Sequence, residues 1–280
     1  MQPCGWKVIG ASVTGDSHVS GGTGGQDASG WRRQSGITCL AVADGAGSRP
    51  LSATGSALAV EQALDTIAGL AMDESAPADP TEWLRSAFDR AQDRIAAFAS
   101  SMERKPGEYA TTLAVAIVTP DRVAIGQVGD SIAVIGGHGQ YLTVCPETKG
   151  EYANETYFIT AADWSEHLRV AVLAGRADVV ALSTDGLRYK ITNTRTSAAF
   201  GPFFDGLVSY GQDAAASSDG IGKFLTGLEN DQTGDDKSLV AAIQVAASES
   251  LARDGGEKWP PSPAADPAQT PAPLPVTARG

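Results

Sequence analysis

Residues 109–145 read YATTLAVAIVTPDRVAIGQVGDSIAVIGGHGQYLTVC, and this stretch decides the fold class. Val, Ile, Leu and Ala fill short blocks separated by Pro120-Asp121 and by Gly136-Gly137-His138-Gly139, both of them turn compositions. Apolar blocks of this length predict strands over 109–118, 122–129, 131–136 and 141–145, joined as a meander. Upstream, residues 6–13 and 36–44 have the same character. Between those strands and the meander the period changes. From Leu51 to Ala71, the residues Val60, Leu64, Ile67 and Ala71 share one helical stripe. A second helix opens at Asp79-Pro80-Thr81-Glu82: Asp79 caps the free amides, Pro80 suits the first turn, and Glu82 faces the positive end of the dipole. Its stripe is Leu84, Phe88, Ala91, Ile95 and Phe98. Downstream, Val179 to Ser183 and Ser238 to Val245 read as strands, with a helix expected over about 213–228. Runs of strands interrupted by grouped helices predict a layered α+β sandwich rather than a parallel βαβ wheel.

The 280 residues suffice for one large domain. Beyond Ser250 the text turns rich in Pro, Ala and Asp, as in Trp259-Pro260-Pro261-Ser262-Pro263, a composition that cannot bury enough surface to fold. The expected organisation is therefore a folded domain over 1–248 and a disordered tail over 249–280. Hydrophobic residues make up 42% of the chain without an uninterrupted apolar run long enough to span a bilayer. Met1 to Lys7 lacks the pattern of a signal peptide, so a cytoplasmic protein with no membrane partner is expected. Cys4, Cys39 and Cys145 are too few and scattered for a disulfide framework. A net charge of −12, with no cluster of Lys and Arg, argues against a nucleic-acid partner.

Aspartates recur at the ends of apolar strands: Val42-Ala43-Asp44-Gly45, Val128-Gly129-Asp130-Ser131 and Ser183-Thr184-Asp185-Gly186. Two more lie in polar loops, Gly25-Gln26-Asp27 and Gly234-Asp235-Asp236. Asp-Gly is a common turn, so a single instance means little. As a set, these carboxylates would meet if the strands are neighbours, and their repulsion would call for a cation. Oxygen ligands without a Cys or His cluster point to Mg²⁺ or Mn²⁺. Gly45, lacking a side chain, would let its carbonyl approach such an ion. Two metals about 3.5–4 Å apart would bridge and acidify one water in line with a phosphorus atom.

The ordered set resembles the protein phosphatase 2C type of metal-dependent serine/threonine phosphatases, in its compact bacterial branch. Gln26-Asp27-Ala28 looks like the first acidic motif and Ala43-Asp44-Gly45-Ala46-Gly47-Ser48 the second. Ala110-Thr111-Thr112-Leu113, Gly129-Asp130-Ser131, Ser183-Thr184-Asp185-Gly186-Leu187 and Asp235-Asp236-Lys237-Ser238-Leu239 follow in order, as does a segment over Glu151 to Thr156. The resemblance implies a four-layer αββα sandwich, two antiparallel sheets flanked by paired helices. It implies hydrolysis of phosphoserine and phosphothreonine on proteins, by a metal-bridging water, at a centre of two Mn²⁺ or Mg²⁺ ions. Asp27, Asp44, Asp185 and Asp235 would supply carboxylates and Gly45 a carbonyl. Asp130 would be an outer-shell residue or bind a third, looser metal. Asp236 stands where the family often has Asn, which favours Asp235 as the ligand. Phosphorylated proteins, and a bacterial Ser/Thr kinase or its substrates, are the implied partners.

Three departures stand out. Gln26 replaces a residue that is often acidic or Asn, Ala46 replaces a His, and the Arg that grips phosphate upstream of the first Asp is missing. His18 is the candidate substitute, since an imidazolium would contact phosphate or protonate a leaving group. These departures keep two rivals open, a phosphatase-like binding or regulatory domain without turnover and a hydrolase of small phosphoesters.

Overall fold

The computed structural model describes residues 4–145, 156–228 and 232–246. Ten strands and six helices occur among them: β1 (Cys4–Val13), α1 (Asp16–Ser20), β2 (Ala28–Gln34), β3 (Ile37–Ala43), α2 (Ser52–Leu70), α3 (Pro80–Ser101), β4 (Leu113–Val118), β5 (Arg122–Val128), β6 (Ile132–Gly137), β7 (Gln140–Val144), β8 (Arg169–Ala174), β9 (Val179–Ser183), α4 (Arg188–Ile191), α5 (Gly201–Gln212), α6 (Ser218–Thr226) and β10 (Lys237–Ala246). The strands form two five-stranded sheets, ordered β1-β10-β9-β6-β7 and β2-β3-β4-β5-β8, and every pairing is antiparallel.

Strand periodicity explains the layering. Along β3, Cys39, Ala41 and Ala43 join a core shared with Leu64, Ile67, Leu84 and Phe88 of α2 and α3. The alternate residues Leu40 and Val42 point the other way and meet Val180, Leu182, Val240 and Ala242 of the opposite sheet. Along β10, Leu239, Ala241 and Ile243 pack with Phe203 and Leu207 of α5 and Ile221 and Leu225 of α6. Both faces of the central strands are covered, so these strands read as continuous apolar runs. Four layers result, helices, sheet, sheet, helices, as the resemblance implied.

The α3 cap forms as expected: the Asp79 side chain accepts from the Thr81 amide at 2.9 Å. The thiols of Cys39 and Cys145 are free, and burial pushes the Cys39 thiol up. Of the expected strand over 109–118, only Leu113–Val118 joins the ladder. Pro106–Tyr109 forms a 3-10 turn, and Thr111 and Thr112 spend their hydrogen bonds on Asp44. The expected helix over 213–228 is a second correction, because α5 ends at Gln212 and α6 begins at Ser218. A turn separates them, in which Asp213 Oδ1 accepts from the Ala215 amide and the Ser217 side chain caps α6. The proposed tail, 249–280, and most of the segment Glu151 to Thr156 lie outside the described residues.

Candidate metal centre

Strand register brings the aspartates to one end of both sheets. Ser183 of β9 pairs with Ile132 of β6 and with Leu239 of β10. Asp130, Asp185 and the pair Asp235-Asp236, each two to four residues beyond those positions, therefore leave their strands at the same level. In the other sheet Ala28 pairs with Ala43, which sets Asp27 and Asp44 opposite each other. One oxygen each of Asp44, Asp130 and Asp185 lie within 4.8 Å of one another.

Asp27, Asp44 and Asp185 feel both burial and the neighbouring carboxylates. Burial first, then the charges of Asp27, Asp185, Asp130 and Asp235, push the Asp44 carboxyl well above the usual range. Burial raises Asp27 to about 7, with Asp236 and Asp235 adding to the effect and the Thr184 hydroxyl opposing it. Asp185 rises to about 6, again mainly through burial, with Asp130 and Asp235 contributing. The predicted convergence of sequence-distant aspartates is thus present.

The backbone is shaped around this cluster. Asp44 follows β3 directly, and Thr112 fixes it from behind: its hydroxyl accepts from the Asp44 amide at 2.9 Å and its amide donates to the Asp44 carbonyl at 2.9 Å. That carbonyl also accepts from the Thr111 hydroxyl at 2.9 Å, so the Thr-Thr motif is a brace for Asp44. Gly45 passes so close to the Gln26 carbonyl that a Cβ would sit 2.6 Å from its oxygen. A side chain at Gly186 would meet the Asp236 carbonyl at 1.9 Å, so both Asp-Gly glycines answer to close backbone approach rather than to turn geometry. Gln26 Oε1 is buried with no hydrogen-bond partner among the described residues. A hydrated cation fits this donor set: its oxygens are carboxylates and carbonyls, their mutual repulsion is offset only in part by Arg188, and Gln26 offers a spare acceptor for a coordinated water.

Asp235 and Asp236 offer oxygens within 4.8 Å of each other and of His18, but their partners differ. Asp236 is buried and faces the interior, where its Oδ1 accepts from the Gly15 amide at 2.7 Å and from His18 Nδ1 at 2.9 Å, and its Oδ2 from the Gln26 amide. Burial alone would raise it, but these donors outweigh burial and hold the carboxyl below its usual range. Asp235 is the member whose charge reaches Asp44 and Asp185. His18, in α1, is turned onto Asp236, and that bond raises its pKa above the ordinary imidazole value. One nitrogen is therefore committed to positioning the loop that precedes Asp27. Arg32 pairs with Asp65 on the surface, His138 with Asp178 and His167 with Asp163.

Sequence reasoning missed three contributors. The Thr184 hydroxyl donates to Asp27 Oδ2 at 2.7 Å and accepts from the Ser238 amide at 3.0 Å. Thr156 Oγ1 donates to Asp130 Oδ2 at 3.2 Å. Arg188 Nη2 donates to the Asp130 carbonyl at 3.2 Å and lies 3.7 Å from Oδ2. Thr184 and Thr156 lay inside segments already singled out; nothing in the spacing of Arg188 signals the contact.

A carboxylate cluster at one end of a two-sheet sandwich defines the class of metal-dependent hydrolases to which the comparisons point. The protein phosphatase 2C family profile matches residues 14–226. Serine/threonine-protein phosphatase 3 of Escherichia coli K12 is 32% identical over 256 residues, covering 85% of this chain and 98% of the relative. A crystal structure of a bacterial serine phosphatase superposes with a TM-score of 0.63 at 17% identity, over 85% of this chain and 98% of that one. The catalytic domain of the phosphatase PstP, in complex with two manganese ions, gives a TM-score of 0.57 at 17% identity, over 87% and 100%. This chain belongs to the protein phosphatase 2C family, a family of serine/threonine phosphatases.

Proposed function

We propose that this protein removes phosphate from phosphoserine and phosphothreonine of other proteins at a centre of two Mn²⁺ or Mg²⁺ ions. Asp27, Asp44, Asp185 and Asp235 would hold the ions through carboxylates and Gly45 through its carbonyl. The observation that carries this reading is the meeting of aspartates from separate strand ends, with one oxygen each of Asp44, Asp130 and Asp185 within 4.8 Å of one another, in surroundings where burial first, and then the charges of Asp236 and Asp235, raise Asp27 to about 7. When bound, the ions would supply charge neutralisation and a bridging water of lowered pKa as the nucleophile. The chain's own part is to hold ligands rigidly: Thr111 and Thr112 lock Asp44, Thr184 locks Asp27, and Asp236 fixes the loop carrying Gln26. His18 retains its proposed role toward phosphate or leaving group only through the ring nitrogen not bonded to Asp236.

Residues 1–248 would be the working unit. A bacterial cytoplasm is the proposed setting, opposite a Ser/Thr kinase whose products the enzyme would reverse. The described residues contain no helix long and apolar enough to cross a membrane. The test is an assay on a phosphothreonine peptide with Mn²⁺, with Mg²⁺ and with chelator. Metal-dependent turnover is expected, and full turnover in excess chelator would overturn the reading. Tight phosphopeptide binding without turnover would identify a binding domain instead, and turnover of small phosphoesters alone a metabolite hydrolase.

A further inference from the structure

The turn Gly129-Asp130-Ser131 is unusually well supplied with donors. Gln127 Nε2 donates to the carbonyls of Gly129, at 3.3 Å, and of Ser131. Arg169 Nη2 also donates to the Gly129 carbonyl. Arg188 takes the Asp130 carbonyl, and Thr156 and Arg188 converge on Asp130 Oδ2. All three carbonyls, and one carboxylate oxygen, are thus engaged by groups of this chain. Arg188 is placed for this by the chain's path: β9 ends at Ser183, Asp185–Leu187 forms a 3-10 turn, and α4 opens at Arg188. The side chains of Arg188 and Asp130 are 30% and 14% exposed, a setting in which a unit charge about 4 Å away is only partly screened. Its field reaches Asp185, where it opposes the upward push of Asp130 and Asp235.

An additional divalent ion beside Asp130 would compete with Arg188 and Thr156 for Oδ2 and the carbonyl, and would have to sit against a fixed positive charge. A guanidinium differs from such an ion in being tethered, so no concentration of metal dilutes it away. We propose that Arg188 is the internal counter-cation of Asp130, taking the ground a third divalent ion would need and limiting the centre to two. The proposal rests on the two-metal reading above. It assigns to Arg188 a task the sequence motifs do not announce.

The experiment counts ions. Metal-free full-length protein is titrated with Mn²⁺ without substrate, with heat of binding and the electron paramagnetic resonance signal of free Mn²⁺ as readouts. Wild type should take up two ions. Arg188→Gln, which removes the charge but keeps a hydrogen-bonding group, should take up a third, at least about tenfold tighter than any further binding to wild type. Arg188→Lys, which keeps the charge, should stay at two, and Arg188→Gln combined with Asp130→Asn should return to two. Three ions on wild type with the affinity seen in Arg188→Gln would overturn the proposal. Two ions on every variant would overturn it while leaving the two-metal centre standing. No binding to wild type would overturn both.

Discussion

Asp44 and Asp236 occupy the same end of the molecule, and their surroundings drive them in opposite directions. Burial raises both carboxyls, yet Asp44 ends well above the usual carboxylate range and Asp236 below it. The difference is the company each keeps. Two backbone amides and an imidazole point at Asp236, whereas Asp44 looks out on four other carboxylates. Donors make a buried carboxylate a structural anchor, and fellow acceptors make it a place that needs a cation.

The sharpest way to break this comparison is to neutralise one member of each region. Asp44→Asn or Asp185→Asn should reduce turnover of a phosphothreonine peptide by on the order of 10³-fold or more. The metal-free fold should survive, since a repulsive charge has been removed. Undiminished turnover would remove these residues from the site. Asp236→Ala should do the reverse in kind, lowering stability by roughly 2–4 kcal/mol in urea unfolding because two amides lose their acceptor. A cost under about 0.5 kcal/mol would show that Asp236 anchors nothing.

A smaller effect is expected from pH. The folded-state pKa of Asp27, about 7, stands above its unfolded value. Its contribution is therefore present at low pH and lost as pH rises through 7. Metal-free protein should gain about 2 kcal/mol between pH 8 and pH 5.5. His18, raised by Asp236, acts in the same sense: its contribution is complete below about 6.5 and lost above it. Asp236 itself is lowered, so its contribution persists at pH 5.5 and disappears only as pH falls below about 4. Mn²⁺ competes with the protons and should flatten or reverse the slope. Metal-free stability that climbs with pH would contradict the account of the cluster. Least of all should change on deleting residues 249–280, with turnover within about twofold of the full chain.

Much of this arrangement is legible in the sequence, for definable reasons. Strands β3, β4, β9 and β10 are buried on both faces, so they stand out as apolar runs. Asp44, Asp130 and Asp185 are found by looking where an apolar run ends, whereas Asp27 and Asp235 lie in polar loops and enter the candidate set through the resemblance. Helices α2 and α3 show clear stripes because one side faces solvent. The unrecognised elements lack that contrast. β2 carries Trp31, Arg32 and Arg33 on exposed positions of an edge strand. β8 lies at the opposite edge of the same sheet, with Val172 exposed. α5 contains Gly201, Pro202, Gly206 and Gly211, a poor helical composition. Packing explains Gly211: a Cβ there would lie 2.1 Å from Ile243 Cδ1, so close contact between helix and sheet takes precedence over propensity. The split role of Asp235 and Asp236 was open for a related reason, because adjacent side chains leave the backbone in different directions and only the folded loop tells which one turns outward.

The pairing of β1 with β10, from Cys4 opposite Ala246 to Val13 opposite Lys237, has a consequence for biosynthesis. β10 lies between β1 and β9, so a ribosome-bound chain that has not yet released β10 has a gap between those two strands. Asp27, Asp44 and Asp130 are already made by then, but Asp235, beside β10, is not. Closure joins partners more than two hundred residues apart, which makes it a late and slow event. A nascent chain without β10 would thus also lack Asp235, and with it the full set of carboxylates proposed for the metal centre.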